Sequence, residues 1–134
     1  MPRGQPFSIR LADETLREVR ALGRLLDRPA SRVASILIEE GLRQRRCPGI
    51  VFTDGPTGRR ATVAGTGVDV WEVVRVLGVC AGDVEAVVQT LPQLSRRQVD
   101  AALHYYSCYP REIDDRLALE KRVEEEIALR HPAG

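Results

Sequence analysis

The sequence predicts a mainly α-helical protein: one short strand with two helices, then a β-hairpin with three helices, then a C-terminal helix. The first observation behind this fold class is that apolar residues recur at helical spacing, as in Leu16, Val19, Leu22 and Leu26. The second is that breakers such as Asp27-Arg28-Pro29-Ala30 separate the helical stretches. The third is that aromatic residues make up only 4% of the 134 residues, so the core must consist of Leu, Val, Ile and Ala.

The overall composition is that of a globular protein, with 43% hydrophobic and 29% charged residues. No apolar run approaches the roughly 18 residues that a membrane span needs. The first residues, Met1-Pro2-Arg3-Gly4-Gln5, contain no apolar stretch that would act as a secretory signal. We therefore expect a cytoplasmic protein with no membrane partner.

Cysteine and histidine residues are few. Cys47, Cys80 and Cys108 are odd in number and lack CxxC spacing, which favours three small buried hydrophobes over a disulfide framework or a zinc knuckle. His104 and His131 have no plausible nucleophile beside them in the sequence. We therefore expect no catalytic residues, no metal site and no cofactor, and a function other than enzyme.

The charge distribution divides the chain into three segments that we treat as domains. Residues 1–46 contain ten Arg and six acidic residues, a balance of +4. Residues 47–110 contain five basic and six acidic residues, and residues 111–134 contain five and seven, giving −1 and −2. The three values sum to the net charge of +1. The excess positive charge is in the N-terminal segment, where an anionic partner would bind.

The first segment begins with an alternating pattern. Phe7, Ile9 and Leu11 would lie on one face of a strand, and Ser8 and Arg10 on the other. Two helices follow, for which the N-cap candidates are Asp13 and Ser31. In the second of these helices, Val33 and Leu37 belong to the apolar face. The alternating run is also compatible with an ordinary edge strand.

One strand and two helices cannot close a hydrophobic core, because the strand has nothing to pair with. A dimer solves this, since two copies of the strand can pair antiparallel while four helices cover the apolar faces. Residues 6–43 resemble the ribbon-helix-helix family in this pattern. The resemblance implies that Phe7, Ile9, Leu11, Val33 and Leu37 form the dimer core.

The same resemblance implies a mode of DNA binding. Ser8 and Arg10 would enter the major groove from the outer face of the two-stranded ribbon. Backbone N–H groups at the start of the second helix, near Ser31 and Arg32, would anchor a phosphate. The family usually has a third outward polar residue, but this chain has Pro6 there. Base readout would then depend on Ser8 and Arg10, with help from Arg3.

The second segment predicts a hairpin of residues 50–53 and 59–63 around a turn at 54–58. Three helices should follow, over residues 71–79, 83–90 and 95–107, with Asp83 and Ser95 as N-caps of the last two. Gly65 and Gly67 are best interpreted as turn glycines, because the third glycine of a nucleotide-binding loop is absent.

The last two of these helices have the outline of a helix-turn-helix. Arg96, Arg97 and Gln98 lie in the first turns of the second helix, where a recognition helix places its base contacts. Asp100 lies one turn after Arg96 and would pair with it, which would weaken attraction to phosphate. Many such outlines are only packing motifs, so DNA contact by this segment remains open.

The second segment also resembles a small family known as domain of unknown function family four-three-three. The matching stretches are 65–71 (Gly-Thr-Gly-Val-Asp-Val-Trp) and 91–95 (Leu-Pro-Gln-Leu-Ser), followed by Val99, Ala101, Ala102, Leu103 and Tyr105. Members commonly have Gly-Thr-Arg in the first stretch; Gly67 replaces that Arg, so its role does not carry over. Members are frequently antitoxins encoded beside a PIN-like ribonuclease toxin. Together the two resemblances imply a VapB-type antitoxin.

The third segment predicts a helix from Pro110 to about Arg130. It is either a mostly solvated helix that packs one side on its own domain, or an arm that binds a partner protein. In the second case Arg116, Arg122 or Arg130 would enter the acidic metal site of a PIN-like nuclease. The function predicted is an antitoxin that binds operator DNA as a homodimer and neutralises such a toxin. The alternatives are a plain repressor without a toxin and an adaptor that binds only protein.

Overall fold

The computed structural model describes residues 4–55 and 58–131. Their elements are α1 (Asp13–Leu26), α2 (Ala30–Arg46), β1 (Ile50–Gly55), β2 (Gly58–Val63), α3 (Val70–Val79), α4 (Val84–Thr90), α5 (Arg96–Cys108) and α6 (Pro110–Arg130). The described chain is mainly helical with one two-stranded antiparallel sheet, which confirms the predicted class. The first compact unit ends at Leu42 and the second begins at Arg43, so the last turn of α2 belongs to the second unit.

Residues 4–12, which contain the predicted first strand, form no regular element in the single chain. A strand needs the backbone of a neighbour as its hydrogen-bonding partner. In the predicted architecture that neighbour is a second copy of the same segment, which a single chain does not supply. The ribbon therefore remains a prediction.

Helix α1 begins at Asp13, the residue that was predicted to be its N-cap. Ala12 has extended backbone angles (φ −57°, ψ 147°) and its carbonyl accepts from the Leu16 amide at 2.9 Å, so Ala12 and not Asp13 is the N-cap. Asp13 is instead the first helical residue, where its charge still favours the positive helix terminus. The prediction of Asp13 as N-cap was wrong by one position.

The predicted cap of α2 was also wrong. The helix begins at Ala30, and the Pro29 carbonyl accepts from the amides of Arg32 and Val33 at 3.0 and 3.1 Å. Ser31 is therefore already inside the first turn. Because the φ of Pro29 is fixed and its carbonyl accepts the first helical hydrogen bonds, the helix starts earlier than a serine cap at Ser31 would allow.

The second unit is built on the predicted hairpin. β1 and β2 pair antiparallel from Ile50 opposite Val63 to Gly55 opposite Gly58, so both strands extend into the predicted turn. The prediction for Pro56 and Thr57 lies outside the described residues. Gly65 and Gly67 have φ of 76° and 71°, the left-handed region that glycine tolerates, in agreement with their interpretation as turn glycines.

Three helices follow the hairpin, and the last two have the predicted N-caps. Asp83 accepts from the Ala86 amide at 3.3 Å at the start of α4. Ser95 accepts from the Gln98 amide at 3.1 Å, while the Gln98 side chain accepts from the Ser95 amide at 2.8 Å, a reciprocal capping box on α5. Both cap predictions are confirmed.

The core of the second unit lies between the hairpin and helices α3 to α6. Its fully or nearly fully buried members are Cys47, Ile50, Ala61, Val63, Val68, Val70, Val73, Val74, Val87, Leu94, Val99, Ala102, Tyr105 and Ile113. Ile113 brings the start of α6 into this core, so the predicted third segment belongs to the same compact unit. Of the three cysteines only Cys47 is buried; Cys80 and Cys108 are partly exposed, against the prediction.

No helix within the two described ranges has the length and apolar character to cross a membrane.

Candidate nucleic-acid interface

The predicted ribbon residues lie in an exposed segment. Ser8, Ile9 and Arg10 are all exposed, and Phe7 is 83% exposed. Leu11 is the first partly buried residue of the segment. Arg3, the third predicted DNA contact here, lies outside the described residues. The structure thus leaves the alternating side chains of this segment without cover from the first unit itself.

An uncovered apolar surface continues onto the two helices of the first unit. Only Val19, Gly23 and Val33 are buried among its described residues. Its exposed large apolar side chains are Phe7, Ile9, Leu25, Leu26, Leu37, Ile38 and Leu42. Of the predicted dimer core, Val33 is therefore buried, Leu11 is partly buried, and Phe7, Ile9 and Leu37 are exposed. Exposed apolar side chains in this number on so small a unit are typical of an interaction surface.

A basic cleft of about 500 Å³ lies between the end of α1 and the start of α2. Arg20, Arg24 and Arg28 line it together with one acidic residue, Asp27, and with Ala30, the first residue of α2. The end of α1 is folded tightly here, because the Arg28 amide donates to the Gly23 carbonyl at 2.8 Å. These arginines were not identified from the sequence, although their spacing of four places Arg20 and Arg24 on one side of α1.

The start of α2 supplies hydrogen-bond donors beside this cleft. The first turn of α2 contains no acidic residue, and Ser31 and Arg32 are exposed. The Arg32 amide already donates to the Pro29 carbonyl. Because the first amides of a helix have no intrahelical acceptor, those of Ala30 and Ser31 are the ones able to donate to a phosphate.

The helix-turn-helix outline in the second unit is engaged in contacts of its own. Arg96 pairs with Asp100, with Nε to Oδ1 at 3.1 Å, and also with Glu85. The hydrogen bond to Asp100, and to a lesser extent the interaction with Glu85, raises the pKa of Arg96 above its usual value. The side chain of Gln98 caps its own helix. The predicted pairing of Arg96 with Asp100 is confirmed. Arg96 and Arg97 are both exposed, and Gln98 is partly buried.

The predicted toxin-binding arginines of α6 differ in their surroundings. Arg116 donates to Glu120 at 2.8 Å and its guanidinium lies 5.5 Å from the centre of the Trp71 ring. Arg122 and Arg130 are exposed, on a stretch of α6 whose residues from 121 onward are all exposed. The large apolar side chains in that stretch, all exposed, are Val123, Ile127 and Leu129.

Two polar clusters of the second unit were missed from the sequence. In the first, Arg43 donates to the Tyr105 hydroxyl at 2.8 Å and to Glu112, while its guanidinium lies 4.2 Å from the centre of the Tyr109 ring. Burial, and to a lesser extent the hydrogen bond to Glu112, raises the pKa of Tyr105 well above its usual value. Partners 62 and 69 residues apart leave no local signal in the sequence.

The second missed cluster surrounds the buried carboxylate of Asp69. It accepts from Arg60 Nε, from the Thr62 hydroxyl at 3.1 Å and from the indole N–H of Trp71 at 3.0 Å. Its own amide donates to Glu72 at 3.3 Å, forming a capping box on α3. An acidic cap followed three residues later by Glu is a signal that would have located this helix start. Its polar partners are inside the unit, so the cluster stabilises the fold.

No family model matches the chain, and no curated protein or solved structure matches it either. The resemblances to the ribbon-helix-helix family and to the four-three-three family therefore depend on the residues quoted for them.

Proposed function

We propose that this chain is an antitoxin of a type II toxin–antitoxin module that acts in the cytoplasm. It binds operator DNA as a homodimer through its first unit and neutralises a PIN-like ribonuclease toxin through its C-terminal part. The observation that carries the proposal is the first unit, which combines an uncovered apolar surface with a basic cleft at a helix start.

The apolar surface supports dimerisation. A second copy would pair its segment 7–11 antiparallel with that of the first, and Phe7 and Ile9 of each copy would then be covered. Burying one such side chain contributes roughly 1.5–3 kcal/mol. With several exposed apolar side chains per chain, the dimer supplies the core that the single unit lacks.

The polar side of the same segment supports DNA binding. Once Phe7 and Ile9 face inward, the strand period turns Ser8 and Arg10 outward, where a ribbon enters the major groove. The Arg10 guanidinium is able to donate two hydrogen bonds to a guanine edge. Arg24 and the start of α2 would position the dimer on the flanking phosphates, contributing affinity without sequence preference.

The second unit and its last helix support a protein partner. Arg96 is already paired with two acidic residues, which weighs against a second DNA-reading helix. The distal part of α6 instead presents exposed apolar residues beside Arg122 and Arg130, a combination suited to an apolar groove with an acidic rim. Arg116 is less suited to this role, because it is held by Glu120.

The experiment is binding of the purified full chain to the DNA upstream of its own gene, followed by fluorescence anisotropy across a salt series. Arg10→Ala should weaken binding to this DNA by about 1–3 kcal/mol and relax specificity at one base position per half-site. Arg24→Ala should weaken binding to specific and random DNA alike. It should also reduce the slope of log affinity against log salt concentration by about 2, because the dimer contains two copies of Arg24. Arg111→Ala removes the same charge from the second unit and serves as the control.

Two outcomes distinguish the alternatives. Binding that is absent, or equally reduced by Arg10→Ala and Arg111→Ala, would contradict DNA readout by the ribbon and favour the adaptor that binds only protein. The plain repressor would be favoured by specific DNA binding together with two negative results. These are that no small nuclease gene lies beside this one, and that no partner co-purifies after co-expression with the neighbouring genes.

A further inference from the structure

Three side chains with metal-binding atoms meet on one side of the second unit. Cys47 directly follows α2, and its amide donates to the Arg43 carbonyl at 2.8 Å. His104 and Cys108 lie one turn apart on α5, so both project from the same face of that helix. His104 Nε2 is 3.7 Å from Cys108 Sγ, and one ligand atom from each of the three residues lies within 4.8 Å of the others.

These separations are close to those of a tetrahedral zinc site. With Zn–S bonds of about 2.3 Å and Zn–N bonds of about 2.0–2.1 Å, ligand atoms at tetrahedral angles lie roughly 3.5–3.8 Å apart. The distance from His104 to Cys108 already has this value. The remaining separations are at most 4.8 Å, roughly 1 Å longer than the tetrahedral value.

We propose that Cys47, His104 and Cys108 bind a zinc ion. Two thiolates and one imidazole are ligands that Zn²⁺ favours, and the two thiolates cancel the charge of the ion. The fourth ligand is a water molecule or the Arg46 carbonyl oxygen, which lies 3.1 Å from His104 Nε2. Because His104 is exposed and Cys108 is partly exposed, the ion reaches the site from solvent although Cys47 is buried.

The third cysteine is a matched contrast to these ligands. Cys80 Sγ lies 3.9 Å from the Thr90 hydroxyl, and Cys80 is not a member of any group of three potential ligands within the described residues. It is partly exposed like Cys108, yet we expect no metal binding from it. A variant of Cys80 therefore controls for the loss of a thiol without the loss of a ligand.

The ion would connect two parts of the second unit that are distant in sequence. Cys47 lies in the connection between α2 and β1, whereas His104 and Cys108 belong to the last two turns of α5. The bond network would thus fix the end of α2 to α5. Since an ion that binds only the folded state stabilises it, zinc should raise the thermal unfolding midpoint.

The test uses the tag-free, full-length chain, reduced and treated with chelator. Zn²⁺ is titrated against a chromophoric chelator, and Co²⁺ is used as a second probe because thiolate ligands give it a charge-transfer absorption. The expected result is one ion per chain with thiolate absorption. His104→Ala and Cys108→Ser should each weaken binding by at least about 100-fold, more than loss of an outer-shell partner costs. Cys80→Ser should leave it unchanged.

Folding is checked separately, because Cys47 is fully buried and its replacement can disturb the core. The exposed His104→Ala should have the same circular dichroism and thermal midpoint as the metal-free wild type. Zinc should then raise the midpoint of wild type and Cys80→Ser but not of His104→Ala. The proposal is overturned if the reduced chain binds no ion, if cobalt shows no thiolate absorption, or if Cys80→Ser weakens binding as much as Cys108→Ser. It is also overturned if Cys47 and Cys108 form a disulfide that persists under reduction in place of metal.

Discussion

Arg43 and Glu112 are 69 residues apart in sequence, yet the guanidinium of Arg43 donates to the Glu112 carboxylate across 2.5 Å. The other oxygen of the same carboxylate accepts from the Tyr105 hydroxyl at 2.6 Å. Arg43 is in the last turn of α2, Tyr105 in α5 and Glu112 in the first turn of α6. One carboxylate thus joins three helices within the second unit.

Arg43→Ala should destabilise the second unit by about 1–3 kcal/mol. The substitution removes hydrogen bonds to Tyr105 and Glu112 and the stacking of the guanidinium on Tyr109, and it leaves a buried hydroxyl with one partner fewer. Urea denaturation followed by circular dichroism measures the loss. Arg96→Ala is the matched control, since its ion pairs are on the surface and should contribute much less. Equal losses in the two variants would contradict a special role of the Arg43 cluster.

The raised pKa of Tyr105 predicts a loss of stability in alkali. Burial favours the neutral hydroxyl in the folded state, so its pKa lies above the ordinary value of about 10. A group whose pKa is higher in the folded than in the unfolded state makes its full contribution to the free energy of unfolding below the unfolded pKa. That contribution decreases as the pH rises above the unfolded pKa. The free energy of unfolding should therefore decrease as pH rises from about 9 to 11. Tyr105→Phe should show a shallower decrease than wild type. Tyr106→Phe, which changes a tyrosine that is only partly buried, should retain most of the wild-type decrease.

The sequence was sufficient for features that depend on neighbours in the chain. The caps at Asp83 and Ser95, the hairpin and the start of α6 at Pro110 follow from short-range patterns, and the structure has all of them. The caps predicted at Asp13 and Ser31 were displaced, because Ala12 and Pro29 supply the first carbonyls through backbone geometry alone. A cap by main chain leaves no side-chain signal.

The candidate sites were less predictable, since they depend on residues brought together by tertiary packing. Cys47 and His104 are 57 residues apart, and their spacing matches no metal-binding motif that could be recognised in the sequence. The basic cleft could likewise not be predicted from the sequence, because it depends on how the end of α1 turns toward Ala30. The strand of the first unit was predicted from alternation, and residues 4–12 form no regular element in the single chain; under the proposed function a second chain would supply its pairing partner.

Gly23→Ala should destabilise the first unit and weaken DNA binding with it. A Cβ atom at this position would lie 2.7 Å from the Arg28 carbonyl oxygen, closer than real Cβ contacts, so the turn after α1 would have to move. The expected cost is about 1–3 kcal/mol, and the basic cleft that the turn forms would be displaced. Gly78→Ala in α3 is the control: nothing lies within 4 Å of its Cβ position, so it should stabilise the chain by up to about 1 kcal/mol. Thermal unfolding and anisotropy measure the two effects.

Phe7→Asp should convert the dimer into a monomer. Phe7 is 83% exposed in the single chain, and in the proposed ribbon both copies are covered at the centre of the dimer. Loss of two apolar side chains, at roughly 1.5–3 kcal/mol each, weakens association by about 10²- to 10⁴-fold even before the charge is counted. Sedimentation velocity over a concentration series measures the dissociation constant.

Leu129→Asp gives the matched comparison, because Leu129 is as exposed as Phe7 but lies on α6. It should leave the dimer intact and, under the proposed function, weaken capture of the toxin. Phe7→Asp should have the opposite pattern. Because each half-site then binds a separate monomer, the affinity for DNA decreases. Capture of the toxin through α6 should be unchanged. A Phe7→Asp chain that remains dimeric would contradict the ribbon, and a Leu129→Asp chain that dissociates would place the dimer interface on α6 of the second unit.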